Sequence, residues 1–132
     1  MRHTDFPDSY QITRNFKYGE FRCPHCGGNH IQVRFVEKLQ EARDYSNELG
    51  PGTSYRINSG WRCQVHNEEV GGTRKSPHMD GLAADIAVSN NYRRMCIVYG
   101  LIKAGFTRLG VYRKFIHADM RDSRVTTTMW VE

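Results

Sequence analysis

The chain has 132 residues, 39% of them hydrophobic, including seven Tyr, six Phe and two Trp. That is enough for one packed core and too little for two. The net charge of +5 favours polyanions, but basic residues adjoin only at Arg74-Lys75, Arg93-Arg94 and Arg113-Lys114, so nucleic acid is not an expected partner. No apolar run approaches the roughly 18 residues a membrane span needs, and Met1-Arg2-His3-Thr4-Asp5 opens no signal-peptide pattern.

In chain order, residues 1–30 are polar and turn-rich and read as an N-terminal arm with a short strand near residues 16–21. Over residues 31–49, Phe35, Val36, Leu39, Ala42, Tyr45 and Leu49 recur at steps of three and four. That spacing predicts an amphipathic helix, stopped by Gly50-Pro51-Gly52. A strand over 54–59 leads to Gly60-Trp61-Arg62, and a helical turn over 64–70 is closed by Gly71-Gly72. A buried strand is expected over 82–88. Asn90 then caps a helix over 92–103, with Met95, Cys96, Tyr99 and Ile102 as its apolar face. Two strands over 108–112 and 114–120 join tightly at Tyr112-Arg113, and residues 126–132 suit an edge strand. The order implies a single α+β domain, a small, largely antiparallel sheet with helices packed on one side.

Four cysteines occur, at 23, 26, 63 and 96. Cys23-Pro24-His25-Cys26 has the spacing of a thiol-disulfide oxidoreductase motif, which needs to open a helix that lowers the thiol pKa. Gly27-Gly28-Asn29 follows at once and opposes such a helix. Two other readings stay open: a disulfide staple, which can reach Cys63, and a second zinc site at Cys23 and Cys26 using His25 or His30.

The chemistry concentrates in Ser76-Pro77-His78-Met79-Asp80-Gly81-Leu82-Ala83-Ala84-Asp85. Asp85 interrupts an apolar strand, and a carboxylate there is costly unless it is paired, hydrogen-bonded or metal-bound. His78 is close enough in sequence to share a metal with it, because Gly81 lets the chain turn between them. Phe115-Ile116-His117-Ala118-Asp119 supplies a second strand-borne histidine. Two imidazoles and a carboxylate suit zinc and leave a position for water. Asp119, two residues after His117, falls on the same strand face.

This Ser-x-His-x-x-Gly-x-Ala-x-Asp pattern, followed by an apolar-flanked His-x-Asp, resembles the zinc D-alanyl-D-alanine carboxypeptidases and related murein peptidases. Asn58-Ser59-Gly60-Trp61-Arg62, Gly105-Phe106 and Gly110-Val111-Tyr112 fit the same family, and the resemblance runs from Tyr55 to Arg121. It implies a zinc-dependent peptidoglycan peptidase acting on stem-peptide or cross-bridge bonds, most naturally of D-Ala-D-Ala type, with an L-alanyl-D-glutamate bond as the nearest rival. It implies His78, Asp85 and His117 as metal ligands, and Arg62 as the arginine facing substrate carboxylate or oxyanion. Ser76 is placed to bind substrate or a ligand. Relatives carry a base just before the last ligand, where this chain has Lys114 and Phe115. Asp119 is then the candidate base, with Asp80 or His66 behind it, and Asp119 as third ligand is a further alternative. A catalytically silent metal-binding module of the same fold is the rival from another class. A monomeric phage or prophage enzyme, cytoplasmic until lysis or a pore releases it, or carried on the virion, fits the sequence.

Overall fold

The computed structural model describes residues 6–120 and 127–132. Residues 1–5, Arg121 and Thr126, where parts of the sequence reading fall, lie outside the described residues. A two-stranded sheet of β1 (Gln11–Thr13) and β2 (Phe16–Lys17) leads into a 3-10 turn at Tyr18–Phe21. Helix α1 (Val33–Leu49), β3 (Ile57–Ser59), α2 (Gln64–Glu69), β4 (Ala83–Ala87) and α3 (Asn91–Lys103) follow. The chain ends in β5 (Arg108–Val111), β6 (Phe115–Asp119) and β7 (Thr128–Val131). The main sheet has the order β3-β4-β6-β5-β7, antiparallel except where β7 joins β5 in parallel. The α+β class expected from the sequence is therefore the observed one, and the tail does form an edge strand.

Residues 16–21 depart from expectation. The strand there is two residues long, because Tyr18 turns into the 3-10 segment. Phe16, Tyr18 and Phe21 are essentially inaccessible and belong to the same cluster as Phe35, Leu39 and Ile86. Burying one such side chain is worth about 1.5–3 kcal/mol. This segment is therefore part of the core rather than an arm laid on it.

Helix α3 is capped as expected, with Asn90 Oδ1 accepting the Arg93 N–H at 2.8 Å. Its buried face is not the predicted one. Met95 and Ile102 are exposed, and Cys96, Ile97, Gly100 and Leu101 face inward. The reason lies at Gly100, where a Cβ would meet Ser46 Oγ at 2.0 Å and the Ala42 carbonyl oxygen at 2.2 Å. The glycine lets α3 lie directly on α1, and this close approach sets the helix rotation. The same contact buries Ser46, while Leu49, expected to be apolar core, is exposed.

The sheet has two faces with different work. Ala84, Ile86, Leu109, Ile116 and Ala118 join the core. On the other face one cross-strand row runs Ser59, Asp85, His117, Gly110, Trp130 through all five strands. A second row, two residues along, runs Ala83, Asp119, Arg108, Thr128. Period-two alternation thus collects the polar strand residues on the face turned away from the core.

The connection before β4 turns at Gly81, whose φ is +73°. Any Cβ there would also lie 2.1 Å from the His30 carbonyl oxygen. Gly81→Ala should therefore destabilise the fold by at least the ~1–3 kcal/mol that a strained left-handed residue costs. Thermal unfolding of the variant measures this, and an unchanged melting temperature would contradict it.

Candidate metal centre

His78 enters the site from the turn between α2 and β4. The turn is closed by Met79 N–H to Ser76 O (3.0 Å) and Leu82 N–H to Pro77 O (3.1 Å). Ser76 Oγ accepts the His78 N–H at 3.2 Å, so this serine shapes the turn that presents His78. Trp61 Nε1–H donates to Met79 O at 2.9 Å and pins the turn to the segment after β3. At Gly60 a Cβ would stand 2.6 Å from Phe21 Cα, so only glycine allows that strand end to approach so closely. The Gly60 carbonyl accepts a hydrogen bond from His78 Nδ1 at 2.8 Å. With Nδ1 carrying the proton, Nε2 presents its lone pair to the site.

His78 Nε2 lies 3.3 Å from Asp85 Oδ1, and His117 Nδ1 lies 2.9 Å from the same oxygen. One ligand atom from each of the three residues falls within 4.8 Å of the others, and all three residues are buried. For Zn–N and Zn–O bonds of about 2.0–2.1 Å, a tetrahedral edge is about 3.3–3.4 Å. His78 Nε2 is also the buried side-chain nitrogen without a hydrogen-bond partner among the described residues. Such an orphan is costly in a protein interior and is what a bound cation relieves. The residues present fit a zinc ion.

The electrostatics agree. Burial alone would push the Asp85 carboxyl up, but the His117 imidazole hydrogen-bonded to it and the nearby His78 imidazole hold it well below the usual carboxylate range. For His117, burial pulls the imidazole down, and Asp119 and then Asp85 more than reverse this, so its pKa is raised. Both shifts report a pocket that attracts positive charge.

A surrounding layer fixes these groups. Arg62 donates from Nη2 to Asp85 Oδ2 (3.1 Å), from Nη1 to Asn67 Oδ1 (3.2 Å) and from Nε to Ser59 Oγ (3.0 Å). Three of the five guanidinium N–H groups are thus used, one on Asp85 and two that hold the guanidinium in place. Asp119 Oδ2 accepts from His117 Nε2 at 2.7 Å, and its Oδ1 accepts from Arg108 Nε at 2.9 Å. Its side chain is completely covered. A carboxylate on the far nitrogen of a ligating histidine fixes the tautomer and ring orientation.

The centre opens into a cleft of about 380 Å³ walled by Arg62, Arg108, Tyr112, Trp130 and residues 70–73. Trp130 lies over Gly110, where a Cβ would stand 2.6 Å from the indole. Its Nε1–H donates to Tyr112 Oη at 2.9 Å, and the Arg108 guanidinium stacks 5.4 Å from its ring.

All six residues singled out from sequence, namely Arg62, Ser76, His78, Asp85, His117 and Asp119, line this cleft. The alternates do not: Asp80 and His66 are not among its lining residues. Arg108, Tyr112, Trp130 and Asn67 were not anticipated. Tyr112 stands out in sequence only as part of the family-like Gly110-Val111-Tyr112 segment, and the other three carry no local signal. The Cys23–Cys26 segment is a turn and opens no helix, and His30 packs edge-on against Trp61 at 4.7 Å.

No individually curated protein matches the chain. The Peptidase M15 family pattern matches residues 13–119, taking in the N-terminal segment that the motifs alone left out. With that span and this centre together, the chain belongs to the Peptidase M15 family and is a metallopeptidase.

Proposed function

We propose that the chain is a zinc-dependent peptidoglycan peptidase that hydrolyses a stem-peptide or cross-bridge amide bond of D-Ala-D-Ala type. The observation that carries this reading is the convergence of His78 Nε2, Asp85 and His117 Nδ1 at the floor of an open cleft. These three would hold the ion. When bound, zinc supplies Lewis-acid polarisation of the scissile carbonyl and a water of lowered pKa.

The chain's own groups do the rest. Arg62 holds Asp85 in place and lines the cleft, where N–H groups not used on Asp85, Asn67 and Ser59 would be available to an oxyanion or a substrate carboxylate. Arg108 adds a second cation to the cleft lining, which suits a peptide carrying free carboxylates. Tyr112 and Trp130 give the cleft an apolar side against which a short aliphatic side chain can rest. Asp119 acts as a positioning residue, keeping the proton on His117 Nε2 so that Nδ1 is left as the donor toward the metal.

The working state we propose is a monomer reaching the wall as an endolysin or as part of a virion, with peptidoglycan stem peptides as its partners. Digestion of purified murein, read by mass spectrometry of the released fragments, tests the reading. New termini at D-alanine support it. Cleavage after L-alanine would move the bond to the L-alanyl-D-glutamate position. Intact murein in the presence of fully metallated protein would point to a binding module that kept the fold without the reaction.

Arg62→Lys should fold and still bind zinc but turn over ~10–100-fold more slowly, the usual loss when an outer partner of a metal ligand is changed. Lysine keeps the charge and loses the fork that reaches Asp85, Asn67 and Ser59 together. Wild-type rates in this variant would reduce Arg62 to a structural charge.

A further inference from the structure

A second set of metal-ligand atoms lies outside the cleft. The turn at Cys23–Cys26 is closed by Cys23 N–H to Gly28 O (2.8 Å) and Gly27 N–H to Cys23 O (3.0 Å). Gly27 takes φ +73°. From elsewhere in the chain Cys63, the residue that caps α2, brings its sulfur to 3.7 Å from Cys23 Sγ. The sulfurs of Cys23, Cys26 and Cys63 all lie within 4.8 Å of one another. All three thiols are free, and so is Cys96, which is buried far along the chain against Gly50.

Three features of this cluster suit a cation. The first is spacing: Zn–S bonds of about 2.3 Å give tetrahedral S···S edges of about 3.8 Å. The observed 3.7 Å is close to that edge and well beyond the ~2.05 Å of a disulfide. The second is backbone support. Gly28 N–H points at Cys26 Sγ (3.3 Å) and His66 N–H at Cys63 Sγ (3.4 Å). Donors aimed at sulfur stabilise thiolates, the form that binds metal. The third is a histidine within reach of one of the sulfurs. His25 Nδ1 is 3.7 Å from Cys63 Sγ, while its Nε2 meets Glu69 Oε1 at 3.4 Å. A carboxylate on the far nitrogen is the common outer partner of a ligating imidazole.

We propose that Cys23, Cys26 and Cys63, with His25 as fourth ligand, form a structural zinc site separate from the cleft. Three thiolates and an imidazole select a soft, tetrahedral ion, and four protein ligands leave no position for substrate. The site ties the turn after the 3-10 segment to the start of α2. Arg62, which orients Asp85, is the residue immediately before Cys63. The metal therefore anchors the chain at the point where one wall of the cleft begins. This inference does not depend on the peptidase reading.

Cobalt substitution of the chelated, full-length chain tests it. A thiolate-to-cobalt charge-transfer band in the near ultraviolet should appear in the wild type and persist in His78→Ala, whose cleft has lost a ligand. It should be lost in Cys63→Ser, which should also hold one metal equivalent fewer than the wild type. Because that variant could misfold, native alkylation of the wild type gives a second reading. Zinc should protect three thiols, and a chelator should expose them together. No charge-transfer band, or alkylation unaffected by zinc, would overturn the site. An intact mass lower by two hydrogens, with Cys23 and Cys63 peptides linked, would replace it by a disulfide. Visible ligand-field bands that change in His66→Ala and not in His25→Ala would overturn His25 as fourth ligand.

Discussion

His117→Ala should leave the cleft without its metal after dialysis and bring murein hydrolysis to background. The change removes one of three protein ligands, and metal affinity in such sites rests on ligand number. It also removes the group standing between Asp85 and Asp119, which lie 2.9 and 2.7 Å from its two nitrogens. Two buried carboxylates would then lose a shared donor, so some loss of stability should accompany the loss of metal. His78→Ala separates the two effects. His78 contacts Asp85 Oδ1 at 3.3 Å, and its Nδ1 bond is to a backbone carbonyl rather than to a second carboxylate. It should lose metal and activity with less damage to the fold. Metal content by elemental analysis, beside circular dichroism and murein digestion, reads all three quantities. Cleft metal retained in both variants would remove the basis of the proposed mechanism.

What sequence could reveal of this site follows from how strongly each feature is constrained by local chemistry. His78, Asp85 and His117 were legible because ligation restricts residue type, and because a carboxylate inside an apolar strand demands an explanation. Gly81 was legible for a similar reason, since a turn that short between two ligands requires a backbone most residues avoid. Arg108 and Trp130 were not. Their place in the cleft depends on the strand order β4-β6-β5-β7 and on β7 joining in parallel, both long-range outcomes with no local signature. The face of α3 failed differently. Its apolar residues fit more than one helical stripe, and the choice was made by Gly100 against Ala42 and Ser46, a contact that hydrophobic periodicity ignores. The aromatic residues at 16, 18 and 21 were hidden by polar, turn-rich neighbours, although a core of this size needs every large side chain it can bury. Cys63 could be linked to Cys23 as a disulfide partner, but a three-sulfur cluster with His25 within reach needed the fold.

Asp119→Asn should lower zinc affinity and turnover together, each by ~10–100-fold, the range seen when an outer partner of a ligating histidine is changed. Asp119 Oδ2 accepts the His117 Nε2 proton and Oδ1 accepts from Arg108. An asparagine can satisfy one of these with its carbonyl oxygen, but its amide then presents N–H to the other donor. The amide also removes the charge that favours Nε2–H over Nδ1–H, so His117 more often turns its protonated nitrogen toward Asp85. Zinc must then compete with that proton, which ties affinity to turnover. A general base makes a different prediction. The amide would leave zinc in place while turnover collapses, and the acidic limb of the pH–rate profile would disappear. The cleft's described lining contains two carboxylates, Asp85 and Asp119, so with Asp85 on the metal a base role could fall only to Asp119 among them. To take a proton it would first have to give up the His117 or Arg108 bond, which is why the positioning role is the expected result. A third possibility, Asp119 as a metal ligand in place of His117, predicts that Asp119→Asn loses metal as fully as His117→Ala does. Zinc titration of the two variants side by side, with pH–rate profiles of Asp119→Asn, separates the three roles. Unaltered affinity with abolished turnover would replace positioning by base catalysis.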